Sequence, residues 1–267
     1  MNTGLGFSEV ALIAVLVLLF FGSKEIPQFI RTVAKCMARI RFYTDKVKRE
    51  FDSVTQITSI PQGNSVVPDR KTQLRKEYIA KRKELSEYSR SEKSNQIASL
   101  LCGTDYLKNA SVVMLYASMG SEVKTDSLIK NLLGSGKRVV LPYSKDSSGE
   151  MGIAEIFNPD TDVAVMSAGF PEVIESLRKP FFKSDLGCVI CPGVAFDRYG
   201  ARLGRGKSCY DRFLKELKGF VPIIGIGYSC QIYDDSMPFE YHDVPMDQIF
   251  TEDGPVMFVP PDEQKTA

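Results

Sequence analysis

Beyond residue 111 the chain switches repeatedly between short apolar runs and helix-length stretches. Val112–Tyr116 reads as a strand, about 125–135 as a helix, and Arg138–Pro142 as a strand entered from Gly136. Leu186–Cys191 reads as a strand, about 208–218 as a helix and Ile223–Tyr228 as a strand. A charged helical stretch over about 71–101 precedes them. Parallel neighbours need a crossover between them, so strands separated by helices imply βαβ units. The expected class is α/β, with a mostly parallel sheet and helices on both faces. In such sheets ligands bind beyond the carboxyl ends of the strands, so the loops after Tyr116, Pro142, Cys191 and Tyr228 are where chemistry is expected.

The amino-terminal part obeys a different rule. Residues 10–21 (VALIAVLVLLFF) carry no charge, whereas residues 24–52 hold eight Lys or Arg against four Asp or Glu. As a helix, residues 4–21 would span roughly 27 Å, just short of a bilayer core. Three alternatives arise: a membrane segment, a signal peptide, or a buried core helix. A signal peptide would place positive charge before the apolar run and a small-residue cleavage site after it, and neither is seen around Gly22-Ser23-Lys24-Glu25. The basic residues after the run favour a single transmembrane helix over about 4–21 with its carboxyl side in the cytoplasm. Gly22-Ser23 breaks it and Pro27 suits the first turn of a second helix. From Ile26 to Val54, through Ile30, Val33, Met37, Ile40, Val47 and Phe51, apolar residues recur in steps of three and four, interrupted at Thr44. Arg31, Lys35, Arg39, Arg41, Lys46, Lys48 and Arg49 mostly fall off that stripe, which suits a helix over about 26–54 lying on an anionic leaflet. A coiled-coil seam or a helix packed on the body would show the same stripe. Residues 55–70 (TQITSIPQGNSVVPDR) have two prolines and no periodicity and read as a linker.

Composition adds exclusions. With 267 residues, 43% hydrophobic and 25% charged, the chain can bury a sizeable core and is not low-complexity. A formal net charge of +1 and one histidine argue against a nucleic-acid partner and a His-rich metal site. Six dispersed cysteines (Cys36, Cys102, Cys188, Cys191, Cys209, Cys230) suit a reducing compartment. The lone C-x-x-C at Cys188 and Cys191 has no second ligand pair, so two small residues in a buried strand is the favoured reading over zinc or redox chemistry.

The richest segment is residues 192–213, PGVAFDRYGARLGRGKSCYDRF. Gly200, Gly204 and Gly206 allow backbone N–H groups to approach an anion, while Arg202, Arg205 and Lys207 bring charge to the same place ahead of a helix. It is not a Walker A loop, because position 201 is Ala where G-x-x-x-x-G-K-[ST] needs Gly. A solvated basic turn would have the same composition.

Two resemblances follow from these residues. Gly6-Phe7-Ser8-Glu9, Phe21-Gly22 and Ile26-Pro27, with the amphipathic stretch after them, resemble the small subunits of the twin-arginine protein translocase, the TatA/TatB family, over about the first 55 residues. Residues 71–254 resemble the 5-formyltetrahydrofolate cyclo-ligase (methenyltetrahydrofolate synthetase) family. The matching segments are 71–75 (KTQLR), 115–125 (LYASMGSEVKT), 136–142 (GKRVVLP), 192–197 (PGVAFD), 202–207 (RLGRGK), 210–212 (YDR) and 246–252 (MDQIFTE).

That second resemblance implies a three-layer α/β sandwich over residues 71–267. It also implies ATP-dependent closure of 5-formyltetrahydrofolate to 5,10-methenyltetrahydrofolate, with ADP and phosphate released and no protein nucleophile. Such phosphoryl transfer needs positioning and charge neutralisation. Carried over position by position, Lys71 and Arg75 reach the ATP phosphates, joined by Arg202, Gly204, Arg205, Gly206, Lys207, Ser208 and Tyr210. Glu122 hydrogen-bonds the pterin, Ala117 lines its pocket, and Tyr210 also packs against the folate where it meets the phosphates. Arg205, Lys207 and Tyr210 act at the reacting groups. Asp211 and Asp247 supply hard oxygen ligands for Mg²⁺, although either could instead cap a helix or turn. His242 reads as a structural loop residue. Where the family pattern continues Gly-Tyr-Tyr-Asp, this chain has Ser208-Cys209-Tyr210-Asp211, and a positive φ at 208 would cost serine about 1–2 kcal/mol.

The combined expectation is a cyclo-ligase held by a single-pass anchor (residues 1–54) on the cytoplasmic side of the inner membrane. The rival reading is a Tat-type translocase subunit, with the ligase-like body as a structural tail; a fusion of two independent activities fits the same residues. Tat translocase subunits are expected partners in either of those.

Overall fold

The computed structural model describes residues 70–146, 150–166 and 169–259. The expected transmembrane segment, the amphipathic helix, all but the last residue of the expected linker and Cys36 lie outside the described residues. Among the described residues no helix is long and apolar enough to cross a membrane.

The charged stretch forms two helices rather than one, α1 (Arg70–Glu84) and α2 (Glu87–Cys102). Ser86 divides them: its extended backbone leaves the helical path and its side chain accepts the Ser89 N–H as the cap of α2. The buried face of α1 is Lys71, Leu74, Tyr78 and Arg82, one stripe at helical spacing on which half the residues are cations. Buried cations need partners, so that face already marks a polar site. Thr104 caps the short α3 (Asp105–Lys108), which leads into β1 (Val112–Met114).

From β1 the chain continues through α4 (Asp126–Gly134), β2 (Arg138–Ser144), β3 (Met151–Ile156), α5 (Pro159–Asp162) and a hairpin of β4 (Val163–Val165) and β5 (Pro171–Val173). Then come β6 (Cys188–Pro192), β7 (Ala195–Asp197), β8 (Arg202–Leu203), α6 (Cys209–Lys215), β9 (Ile223–Ile226), β10 (Ile232–Tyr233), β11 (Gln248–Thr251) and β12 (Gly254–Pro255). The main sheet runs β12-β11-β9-β6-β1-β2-β3. Its five inner strands are parallel, and β12 and β3 close the two sides as antiparallel edges.

Strand alternation sends one set of side chains to each face. Val113, Leu115, Val139, Leu141, Cys188 and Ile190 share a core with Ile97 and Leu101 of α2 and Leu128 and Leu132 of α4. Val112, Met114, Val140, Val189, Cys191 and Ile223 share the other with Phe213 and Leu214 of α6. Cys188 and Cys191 therefore belong to opposite cores and are fully buried. Burial pushes both thiols up to about 12, as inert strand residues.

β7, β8 and β10 form a small separate sheet. The buried Asp197 organises its turn, taking the Tyr199 and Ala201 N–H groups on one oxygen and the Met237 N–H on the other. This small sheet launches the glycine- and cation-rich loop toward α6.

Candidate active site

The order of the sheet locates the site. From β1 the chain adds β2 on one side and later β6 on the other, so strand order reverses between β1 and β6. A cleft of about 470 Å³ opens there. Its walls come from the loop after β1 (Tyr116, Ala117, Met119, Glu122), the end of β2 (Pro142, Tyr143, Ser144) and the loop after β6 (Pro192, Gly193, Val194). The segment from Arg202 to Asp211, with Lys71 and Arg75 of α1, completes the polar side. All four expected regions thus contribute, the chain after Tyr228 through Glu240, His242 and Asp243.

The cationic loop is folded against α1. Arg75 Nε donates to the Gly204 carbonyl at 2.9 Å, which bends the loop over the helix. Gly206 has φ of +96°, and a Cβ there would lie 3.5 Å from the Arg75 guanidinium carbon. Arg205 reaches across to Glu122 at 2.7 Å, and Lys207 stands 5.5 Å above the Phe170 ring. Glu122 takes the Met119 N–H at 3.2 Å on its second oxygen, so its carboxylate is turned into the cleft by its own loop. Ser208 sits at φ 50° and ψ 15°, the one non-glycine positive φ among the described residues. The positive φ that would strain a serine at 208 is thus present, on a residue with a Cβ.

Beneath the loop lies a buried ion pair. Arg202, its side chain 3% exposed, meets Asp211 at 2.9 Å and packs 5.3 Å from the Tyr210 ring. Burial opposes the charge on Arg202, but the Asp211 carboxylate more than offsets it and holds the pKa above its ordinary value. Burial likewise holds the Tyr210 phenol well above 10, so it stays protonated. Two buried polar atoms on this wall, Arg202 Nε and the Tyr210 hydroxyl, have no hydrogen-bond partner. Orphan donors are costly when buried, and here both belong to residues that line the cleft.

The acidic end differs from expectation. Asp247 does not line the cleft: its carboxylate accepts the Ile223 N–H at 2.9 Å, tying the start of β11 to the start of β9. That is the amino end of these strands, so Asp247, expected to ligate Mg²⁺, is placed away from the cleft and ties two strands together. Asp243, four residues earlier, does line the cleft. Asp211 Oδ1 accepts the N–H of Val244 at 3.3 Å, which brings the neighbouring Asp243 to the Asp211 side. Lys71 Nζ lies 2.8 Å from Asp243 and 3.2 Å from Glu240, and His242 Nε2 lies 3.0 Å from Glu240. The ligand atoms of Glu240, His242 and Asp243 fall within 4.8 Å of one another. These hard carboxylate oxygens fit Mg²⁺ by donor chemistry. His242, expected to be a structural loop residue, lines the cleft beside them.

Lys71, Arg75, Ala117, Glu122, Arg202, Gly204, Arg205, Gly206, Lys207, Ser208, Tyr210 and Asp211 are therefore brought to one cleft, and Asp247 is not. Sequence reasoning missed Asp243, in the loop before β11, and Tyr143, Met151, Phe170 and Glu172, which line the cleft from the β2–β3 and β4–β5 regions. Asp243 had a local signal, since the run EYHD offers adjacent donors, but only the contact from Val244 to Asp211 assigns it.

Residues 67–252 match the model of the 5-formyltetrahydrofolate cyclo-ligase family, and residues 3–50 match that of the mttA/Hcf106 family. The 5-formyltetrahydrofolate cyclo-ligase of Escherichia coli K12 is 28% identical over 172 residues, covering 64% of this chain and 94% of its own length. The Mus musculus enzyme of the same name is 27% identical, covering 68% and 93%. The solved structure of Aquifex aeolicus 5,10-methenyltetrahydrofolate synthetase superimposes with a TM-score of 0.62 at 31% identity, over 71% of this chain and 93% of that one. The synthetase from Mycoplasma pneumoniae gives 0.55 at 26% identity, over 68% and 98%.

Proposed function

The chain belongs to the 5-formyltetrahydrofolate cyclo-ligase family and is an ATP-dependent enzyme of that kind; from this premise we propose how its cleft closes 5-formyltetrahydrofolate to 5,10-methenyltetrahydrofolate, releasing ADP and phosphate. The observation that carries the assignment of the site is the pair of unpartnered buried donors, Arg202 Nε and the Tyr210 hydroxyl, under a loop of glycines and cations.

In this reading Arg75, Arg205 and Lys207 surround the triphosphate, and Gly204 and Gly206 let the backbone come close to it. Glu122 accepts a hydrogen bond from the pterin beside Ala117. The formyl oxygen attacks the terminal phosphoryl group and ADP departs. N10 then adds to the activated carbon, and as the ring closes the C–O bond breaks and phosphate leaves, taking up the proton that N10 loses. Negative charge builds on the transferring oxygens, and the role assigned to Tyr210 and Arg202 is to donate to them from fixed positions in a dry wall. Asp211 and Asp243, with Glu240, are the residues that would hold Mg²⁺. A metal bound there would neutralise phosphate charge. Lys71 keeps those carboxylates oriented through its contacts with Asp243 and Glu240.

We further propose that residues 1–54 anchor the enzyme to the cytoplasmic membrane, with 55–70 as linker and 71–267 as the catalytic body. The mttA/Hcf106 match over residues 3–50 supports this, as does the uncharged run at 10–21. Twin-arginine translocase subunits would then be its membrane neighbours.

The test uses the full chain with 5-formyltetrahydrofolate, ATP and Mg²⁺, following 5,10-methenyltetrahydrofolate by its near-ultraviolet absorbance. Turnover lost on Arg205→Ala and on Asp243→Asn, but kept on Asp247→Asn, is the expected result. No turnover by a folded wild-type chain would move the reading to a translocase subunit with a structural tail. The anchor is tested on the same preparation: activity should sediment with membranes and resist alkaline washing.

A further inference from the structure

Resting on the folate-binding reading of Glu122, we propose that Tyr228 and Ser94 are positioning residues for the substrate, a buried hydroxyl pair that holds the Glu122 loop in register with the cleft. Neither residue lines the cleft, and each comes from a different element: Ser94 from α2, Tyr228 from the turn after β9.

The loop from Ser118 to Thr125 has no regular structure, so its backbone groups need partners from elsewhere. Tyr228 supplies one, its hydroxyl lying 3.1 Å from the Glu122 carbonyl. Ser94 Oγ supplies another, accepting the Lys124 N–H at 2.9 Å. The two hydroxyls lie 3.0 Å apart, and one arrangement satisfies all three contacts. Lys124 N–H donates to Ser94, Ser94 donates to Tyr228, and Tyr228 donates to Glu122 O, each bond polarising the next. Both side chains are buried, Tyr228 at 0% and Ser94 at 1% exposure, so water cannot substitute for either hydroxyl. Burial also pushes the Tyr228 phenol up, which keeps its proton in place as a donor.

The pair grips the main chain on both sides of Val123, next to the one carboxylate of this loop that lines the cleft. A shift of the Glu122 backbone would move the side chain that Arg205 and the Met119 N–H otherwise orient. The phosphate-binding side is built from α1 and residues 202–211, and the hydrogen bonds of the pair go elsewhere, to the Arg90 and Glu122 carbonyls, to the Lys124 N–H and to each other. The consequence is graded: losing either hydroxyl weakens the hold on the folate far more than the hold on ATP, which this loop meets through the Arg205–Glu122 pair.

The experiment measures initial rates of the full chain against each substrate in turn. Tyr228→Phe removes one oxygen and keeps the ring; Ser94→Ala removes the other. Each should raise KM for 5-formyltetrahydrofolate about tenfold, the effect of losing one buried hydrogen bond, with KM for ATP within about twofold of wild type. In a Glu122→Gln background Tyr228→Phe should add little, because the residue it positions has already been altered. If Tyr228→Phe does not fold, Ser94→Ala gives the same reading. Unchanged folate KM in Ser94→Ala, or an equal rise for ATP and folate, would overturn the proposal while leaving the enzyme's assignment intact. A wild-type chain that neither binds nor turns over 5-formyltetrahydrofolate would overturn the assignment and this proposal with it.

Discussion

Ser208 shows how one residue can make a site strained. A Cβ at φ 50° crowds the backbone, and the cost is about 1–2 kcal/mol against glycine. Ser208→Gly should therefore stabilise the chain, raising Tm by roughly 2–4 °C per kcal/mol relieved for a body of this size, as differential scanning calorimetry would read. It should also clear a side chain from the phosphate side of the cleft and leave KM for ATP equal or lower. An unchanged or lower Tm would mean that the serine side chain makes a contact worth as much as the strain. At the same scale the two thiols of the C-x-x-C are inert: they belong to opposite cores and their thiols are pushed up to about 12.

Elements are held in place by two devices that can be broken separately. The first is a nest for Phe196, a fully buried ring on β7 against which Gly193, Gly225 and Gly227 present no side chain. A Cβ on Gly225 would stand 2.5 Å from the ring, and β9 lies in the centre of the sheet where it cannot yield. Gly225→Ala should cost about 1–3 kcal/mol of overpacking, seen as a lower urea midpoint with an unchanged slope. The second device is Glu252, just past β11, its side chain 3% exposed and 2.5 Å from Lys93 of α2. Burial pushes the Glu252 carboxyl up, but Lys93, the Ser229 hydroxyl and nearby N–H groups outweigh that and hold it below its ordinary 4.5. Its contribution is then present above pH 4.5 and drains away as the pH falls through the lower folded value. Glu252→Gln should lower Tm relative to wild type at neutral pH, and the two melting curves should converge in acid. A gap that persists unchanged to low pH would show that packing, not charge, is what the substitution removes.

On the scale of the whole body, the cleft joins elements that are far apart in the chain. Lys71 meets Asp243, Arg82 reaches Gly193, and Arg205 reaches Glu122, so residues from both ends of the body close one site. A ligand that satisfies the orphan donors there should brace all of it. ATP at about 100 times its Kd should add about 2.7 kcal/mol to unfolding, and Tyr210→Phe, which leaves no hydroxyl to satisfy, should show a smaller increment.

Much was legible in order along the chain, for definite reasons. Runs such as Val112–Tyr116 and Ile223–Tyr228 could only be buried strands, and the helices between them forced parallel pairing and a ligand crevice at the carboxyl ends. The cationic glycines of 202–207 announced an anion site because their chemistry is local. The edge strand β3 escaped notice because GIAE within it lacks the β-branched run of a central strand, and the break at Ser86 was a single cap inside an unbroken charged pattern. Asp243 and Asp247 are equivalent as residue types four positions apart, and nothing local separates them. Only the assembled sheet does: it turns Asp247 to the amino end of β9 and carries Asp243, through the Val244 N–H, to Asp211. Periodicity and residue chemistry are properties of neighbours in sequence, so the sequence by itself determined the class of fold and the kind of site. Which carboxylates and hydroxyls meet depends on contacts between residues from about twenty to more than a hundred and fifty positions apart, and tertiary structure alone decided that.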